Sequence, residues 1–163
     1  MQALKNIVIN GAMILALLFG LTISATAAMP SFEEAKLSAE KGNTLGQVML
    51  GYHYSDGLVV QQDYSKAFYW YQKAANQGDK FGQFNIGYAY ANGQGALQDY
   101  SKAIEWFKKS AAQNMNTAQS YIGMMYEYGQ GVRQNKTTAK EWHGKACDGG
   151  YVYGCQSYRG CTN

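Results

Sequence analysis

The segment DYSKAFYWYQKAAN at residues 63–76 returns as DYSKAIEWFKKSAA at residues 99–112, and this repetition decides the fold. Aligning residues 63–98 with 99–134 needs no gap and gives 17 identities in 36 positions. The register continues on both sides, since tryptophan stands at positions 70, 106 and 142. A fixed period of this length is typical of repeat architectures. We therefore divide the chain of 163 residues into units at 27–62, 63–98, 99–134 and a truncated 135–163.

Each unit is predicted to form two helices. In the second unit Asp63 can cap a first helix. The apolar residues of that helix recur at helical spacing: Ala67, Trp70, Tyr71 and Ala74. It is expected to end near Gln77, and a second helix should run from about Lys80 to Ala91. In the first unit, Ser31 and Glu34 have the spacing of a capping box.

Glycine recurs with the same period. The expected end of each first helix carries one residue that tolerates a left-handed backbone: Gly42, Gly78, Asn114 and Gly150. Two more repeat positions inside the second helices carry small residues. The first is occupied by Gly46, Gly82, Ala118 and Gly154, and the second by Gly51, Gly87 and Gly123. A helical glycine costs about 1 kcal/mol relative to alanine. We therefore expect close helix–helix approach there, with the three tryptophans as packing residues.

The repeated pattern resembles the Sel1-like repeat, a relative of the tetratricopeptide repeat. Residues 74–112, AANQGDKFGQFNIGYAYANGQGALQDYSKAIEWFKKSAA, carry the full motif, and the resemblance covers nearly all of the chain after residue 27. It implies an all-α fold, an α-solenoid of about four helix-turn-helix units. Solenoids of this kind bind partners along an extended surface.

The N-terminus is predicted to be a secretory signal peptide spanning residues 1–27. Lys5 precedes an apolar run at residues 7–23, and Ala25-Thr26-Ala27 matches an A-x-A cleavage site. An uncleaved membrane anchor is the alternative. Without Lys5 the net charge falls from +3 to +2, too weak and scattered for a nucleic-acid surface. The expected mature domain, residues 28–163, has no second hydrophobic segment and would be periplasmic or secreted by a Gram-negative bacterium.

Three cysteines lie near the C-terminus, at positions 147, 155 and 161. The repeat register places Cys147 near the end of a first helix and Cys155 in the antiparallel second helix, so we predict a disulfide between them. Their spacing is similar to that of the cysteine-rich Sel1-type proteins secreted by Helicobacter, although the second and third units here have no cysteine. Cys161 is either a free thiol or the link to a second copy. The spacing lacks the histidines of a zinc site.

Catalytic patterns are sparse. His53 and His143 lie in distant units, with no paired carboxylate or second histidine nearby in sequence, and we expect His143 to be a half-buried packing residue. Ser38-Ala39-Glu40-Lys41 matches the S-x-x-K nucleophile motif of penicillin-recognising enzymes. Ser55-Asp56-Gly57 and Lys136-Thr137-Thr138 weakly echo the two other motifs of that class. The Helicobacter resemblance implies β-lactam binding or weak hydrolysis as an alternative function.

The favoured interpretation is a non-catalytic scaffold that presents its first helices to a protein or peptide partner, in the cell envelope or in a host. Four exposed positions are the candidate partner-binding residues: Lys66, Tyr69, Lys102 and Glu105. No cofactor, metal or nucleic acid is predicted. A host-facing secreted factor is a further alternative that the Helicobacter resemblance implies.

Overall fold

The computed structural model describes residues 29–160, so the predicted signal peptide and Cys161 lie outside the described residues. All regular secondary structure in this part of the chain is α-helical. The helices are α1 Phe32–Glu40, α2 Thr44–Asp56, α3 Tyr64–Asn76, α4 Lys80–Asn92, α5 Tyr100–Ala111, α6 Asn116–Tyr128, α7 Lys136–Asp148 and α8 Val152–Gly160. Each helix packs against the next one along the chain. This arrangement confirms the predicted α-solenoid of repeated helix pairs.

Local sequence signals set the helix ends. The capping box of Ser31 and Glu34 forms at the start of α1. Asp63, Asp99 and Asn135 each cap a first helix by accepting a hydrogen bond from the backbone N–H three residues on. The four predicted left-handed residues all have positive φ, including the one that is not glycine, Asn114 at 58°. The turn between paired helices is therefore fixed by backbone conformation, as predicted.

The glycines inside the second helices are contact points, as their cost in helix stability suggested. A Cβ built on Gly87 would lie 2.8 Å from the ring of Phe107 in the next unit. The same contact recurs between Gly51 and Tyr71, and between Gly123 and His143. We call each such pair a junction notch: a glycine on a second helix that admits the ring of the following first helix.

The rings that fill the notches differ from the expected ones. The tryptophans were the predicted packing residues, yet the residue directly after each of them enters the notch. Trp70, Trp106 and Trp142 are half-buried and pack at the edges of the three apolar clusters. By contrast Phe107 and His143 are 0% exposed. The prediction that His143 is half-buried is wrong, because the absent side chain of Gly123 leaves room for the whole imidazole.

Glutamine side chains at the ends of first helices form hydrogen bonds to the preceding unit. The Gln77 amide donates to Gly42 O at 3.2 Å and to Gln47 Oε1 at 2.8 Å. One unit later, Gln113 donates to Gly78 O at 2.8 Å and to Gln83 Oε1 at 2.9 Å. The third junction differs, because glycine occupies position 149. Here the buried Gln119 Oε1 has no hydrogen-bond partner in the described part of the chain.

Candidate functional site

The four candidate partner-binding residues lie on the solvent side of two first helices. Lys66 and Tyr69 are exposed on α3, and Lys102 and Glu105 are exposed at the equivalent positions of α5. Residues three apart on a helix share one face. Each pair therefore occupies one surface, and the two pairs repeat one unit apart.

The two candidate lysines have intramolecular partners. Lys66 Nζ lies 3.2 Å from Asp63 Oδ2, and Lys102 Nζ lies 3.3 Å from Asp99 Oδ2. Each ammonium also lies over a tyrosine of the preceding helix, Tyr54 at 5.3 Å or Tyr90 at 5.4 Å from the ring centroid. These lysines therefore secure the starts of their own helices as well as facing solvent.

Sequence reasoning missed a second row of lysines on the same faces. Lys73, Lys109 and Lys145, which we call the lysine stripe, lie seven residues after positions 66, 102 and 138. Their ammonium groups lie 4.9, 3.8 and 4.3 Å from the ring centroids of Trp70, Trp106 and Trp142. The recurrence of lysine with the repeat was the available signal. This signal alone does not indicate a binding role, because a lysine three residues after a tryptophan can simply pack over the ring.

Uncharged cavities lie elsewhere, each lined by two consecutive second helices and the first helix between them. One of about 290 Å³ is lined by Tyr52, Tyr64 and Tyr88 among others, and one of about 310 Å³ by Tyr88, Tyr100 and Tyr121 among others. Most positions of the first cavity have their equivalents 36 residues on in the second. None of the four candidate binding residues lines either cavity. The described chain thus offers two chemically different surfaces.

Tyr71 forms part of the first cavity and fills a junction notch. Its hydroxyl lies 3.1 Å from Ser55 Oγ. Burial raises the pKa of Tyr71 to about 12, against a smaller opposite effect of the Ser55 hydrogen bond. Phe107 occupies the equivalent position one unit later, so this hydroxyl is not required by the fold. Tyr71 remains neutral at physiological pH and acts as a packing residue with one polar contact.

The two histidines are core residues with different surroundings. His143 Nε2 lies 3.4 Å from Glu127 Oε2, a carboxylate sixteen residues away that the sequence did not connect to it. His53 Nε2 lies 3.0 Å from the carbonyl oxygen of Pro30. The two histidines belong to different helices, α2 and α7, of the first and fourth units. Neither arrangement supplies a serine, threonine or cysteine nucleophile beside a base.

The three segments that echo penicillin-recognising enzymes lie in different parts of the solenoid. Ser38 is on α1, Ser55 is near the end of α2, and Lys136 begins α7. Helix α1 packs against α2, whereas α7 packs against α6 and α8. Within residues 29–160, no three histidine, cysteine or acidic side chains form a group able to hold a metal ion. No helix among these residues is long and apolar enough to span a membrane.

The fourth helix pair contains the disulfide. Cys147 on α7 and Cys155 on α8 are bonded, with their Cα atoms 4.4 Å apart. Gly154 adjoins this bond, and a Cβ on it would lie 2.7 Å from Ala146 Cβ. The bond therefore ties α8 to α7 at a point where the two helices lie close together. Cys161 lies outside the described residues, and its pairing stays a prediction.

Comparison with protein families places the repeats independently of the structure. The family model described as Sel1 repeat matches residues 44–79, 81–115 and 117–151. Each match begins at the first or second residue of a second helix and runs through the first helix of the following unit. The matched residues make up more than half of the chain. None of the curated proteins matches this chain significantly.

Solved structures with similar folds come from several bacteria. A protective antigen of uropathogenic Escherichia coli with an SLR fold is 36% identical, with a TM-score of 0.74, over 78% of this chain and 27% of the antigen. A Sel1 repeat protein of Oxalobacter formigenes is 28% identical, with a TM-score of 0.74, over 78% of this chain and 52% of that protein. The present chain thus spans about a quarter to a half of their length.

Cysteine-rich protein B of Helicobacter pylori shares the fold. It is 23% identical, with a TM-score of 0.60, over 76% of this chain and 89% of that protein. The predicted resemblance to Sel1 repeats, including a cysteine-rich Helicobacter protein, is thereby confirmed at the level of the fold.

Proposed function

The chain belongs to the Sel1 repeat family, and from this premise we propose that it is a non-catalytic scaffold that binds a protein or peptide partner. The observation that carries the proposal is the repetition of exposed side chains on consecutive first helices. Lys66 and Tyr69 on α3 are followed one unit later by Lys102 and Glu105 on α5. Equivalent positions on stacked units form a continuous surface, which suits an extended partner.

The proposed location is the cell envelope or the extracellular medium. The predicted signal peptide at residues 1–27 and the bond between Cys147 and Cys155 support it, because disulfides persist in oxidising compartments. Cleavage after Ala27 gives a mature protein that begins at Ala28. Mass spectrometry of the exported protein tests this directly. An intact N-terminus with Lys5 retained would instead support a membrane anchor.

A cross-linking capture experiment tests the scaffold proposal. The oxidised protein serves as bait for envelope extract and concentrated culture medium, with bound proteins identified by mass spectrometry. We expect a saturable partner whose cross-links map to α3 and α5. Lys66→Glu combined with Lys102→Glu should reduce capture at least several-fold, because it reverses two charges on the proposed surface. Lys36→Glu with Lys41→Glu in the first unit is the matched control.

Two results would contradict the proposal. Capture that the Lys66 and Lys102 reversals leave unchanged would show that these two lysines do not bind the partner. Retention of a labelled β-lactam by the wild-type protein, abolished by Ser38→Ala, would instead favour the penicillin-binding alternative. The fraction in which the partner is found, periplasm or medium, separates an envelope scaffold from a host-facing factor.

A further inference from the structure

Charge is unevenly distributed between the two rows of helices. Together α3, α5 and α7 carry eight lysines and three carboxylate residues. The second helices α2, α4, α6 and α8 together carry two basic and two acidic residues. The first helix of the first unit has the opposite sign, since α1 holds three glutamates and one lysine. Positive charge is therefore concentrated on the first helices of units two to four.

No residue of the lysine stripe has an acidic partner in the described chain. Within residues 29–160 the lysines in ion pairs are Lys66 and Lys102, each bound to the cap of its own helix. Glu105 and Glu141 lie one turn before Lys109 and Lys145 but form no ion pair with them in this part of the chain. The three stripe residues are exposed. Their ammonium groups are thus available to a ligand.

The tryptophans hold these ammonium groups in a defined place. A lysine ammonium over an indole ring is attracted by the negative face of the ring. A side chain that is already positioned loses less conformational entropy when it binds. Because one such pair occurs in each of three consecutive units, the structure presents three positioned cations at the repeat period.

We propose that the partner docks on the lysine stripe through an extended acidic peptide segment, whose carboxylates contact Lys73, Lys109 and Lys145. This inference deepens the proposed function and rests on it. The partner segment should be acidic because the three stripe residues are positively charged. It should be extended because these residues recur at the repeat period along consecutive units. The acidic helix α1 marks one end of the surface, since it repels a partner of negative charge.

An acidic peptide fits this surface better than an anionic membrane does. Membrane association of a helical face needs apolar side chains that can enter the lipid. Trp70, Trp106 and Trp142 pack against the apolar clusters and are covered by the lysines. These rings are therefore not free to insert, and the negative charge of α1 opposes a flat anionic surface.

Fluorescence anisotropy with defined probes tests the inference. The probes are three labelled peptides of equal length in which every third residue is Glu, Gln or Lys and the others are Gly and Ser. We expect the full-length protein to bind the Glu peptide at least tenfold more tightly than the Gln peptide, and to lose this preference as salt is raised. Vesicles containing phosphatidylglycerol are the probe for the membrane alternative.

Charge variants locate the binding. The combination Lys73→Gln, Lys109→Gln and Lys145→Gln should weaken binding of the Glu peptide at least tenfold. The matched control removes three other lysines, Lys36→Gln, Lys41→Gln and Lys136→Gln, and should change binding less than threefold. Replacing the stripe by arginine should preserve binding. Circular dichroism verifies that each variant is folded.

A gain-of-binding variant keeps the test decisive if the glutamine variant unfolds. Glu105→Gln with Glu141→Gln removes negative charge beside the stripe and should tighten binding of the Glu peptide. Equal binding of all three peptides would overturn the acidic specificity but leave the scaffold proposal standing. Preference for vesicles over the Glu peptide, or equal loss in the matched control, would overturn the inference. No saturable partner in the capture experiment, together with no peptide binding, would count against the proposed function itself.

Discussion

At the scale of single residues, the junction notches explain why glycine persists in helices that it weakens. Gly51, Gly87 and Gly123 each admit a ring from the next unit. The ring itself varies between tyrosine, phenylalanine and histidine, whereas the glycine does not vary. The close approach of two helices therefore depends on the missing side chain more than on the chemistry of the residue that fills the space.

Gly87→Ala should destabilise the protein. Its Cβ would lie 2.8 Å from the buried ring of Phe107 and 3.1 Å from the carbonyl oxygen of Ala103. Overpacking of this kind costs about 1–3 kcal/mol, more than the gain of up to about 1 kcal/mol from helix propensity. We expect a net loss of roughly 1–2 kcal/mol in chemical denaturation.

Gly144→Ala on α7 is the matched control. Its Cβ would lie 3.3 Å from the ring of Tyr158, which is exposed and can move. It should be neutral or stabilising by up to about 1 kcal/mol. Equal destabilisation by the two variants would show that the notch is not the cause.

The residue scale also shows what sequence could and could not predict. The left-handed conformation of Asn114 was predictable because it depends on the local backbone alone. The choice of Phe107 over Trp106 for the notch was not, because both lie on the apolar stripe of one helix and only the position of the neighbouring helix separates them. The contact of His143 with Glu127 was missed for the same reason.

At the scale of helices, the caps couple stability to pH. Asp63 and Asp99 accept hydrogen bonds from the backbone N–H groups of Lys66 and Lys102, and these bonds hold the pKa values of the two carboxyl groups below their ordinary range. A carboxyl with a lowered pKa in the folded state stabilises the fold above its unfolded pKa. This stabilisation is lost as pH falls through the folded pKa.

Asp63→Asn with Asp99→Asn should make the protein less sensitive to acid. Asparagine caps helices well, and Asn135 already does so at the start of α7. We expect the wild type to lose more stability than the variant as pH falls from about 4 to about 2, near and below the ordinary aspartate pKa. Urea denaturation across this range measures the difference. Parallel pH profiles would contradict the assignment.

Most helices were predictable because their signals are local. The caps and the glycine stops predicted the helix pair of the second unit to within a residue or two of its observed ends, Tyr64–Asn76 and Lys80–Asn92. The candidate binding surface was only partly predictable. Lys66 and Lys102 were chosen for their exposure. The lysine stripe stands out as a binding surface only once the structure shows that no carboxylate in the described chain pairs with it. That information exists only in three dimensions.

At the scale of the whole molecule, stability is distributed along a stack in which each unit contacts its neighbours. Such arrays behave approximately as a sum of unit and junction contributions. Helix α8 is nine residues long, and three of its large residues are exposed: Val152, Tyr153 and Tyr158. Its attachment to α7 therefore depends strongly on the bond between Cys147 and Cys155.

Cys147→Ser with Cys155→Ser should release α8 while leaving the central units folded. A short disulfide loop contributes roughly 2–3 kcal/mol, and the loss should fall on the fourth helix pair. Hydrogen exchange is expected to accelerate in α8 and little in α4. Reduction of the wild type should reproduce the effect. An equal increase in α4 would indicate that the solenoid unfolds as one cooperative body.

The junction notch also bears on how genes for such proteins change in length. A copy of residues 63–98 inserted after residue 98 would bring both Gly87 and the ring of Tyr71, so each new boundary would match the existing ones. In-frame duplication or deletion of a whole unit is therefore structurally conservative. The equivalent position on α8 holds Arg159 in place of glycine. A unit added after that helix would meet the Arg159 side chain where the notch requires a glycine. Duplication of an internal unit is therefore easier for this fold to accept than addition of a unit at its C-terminal end.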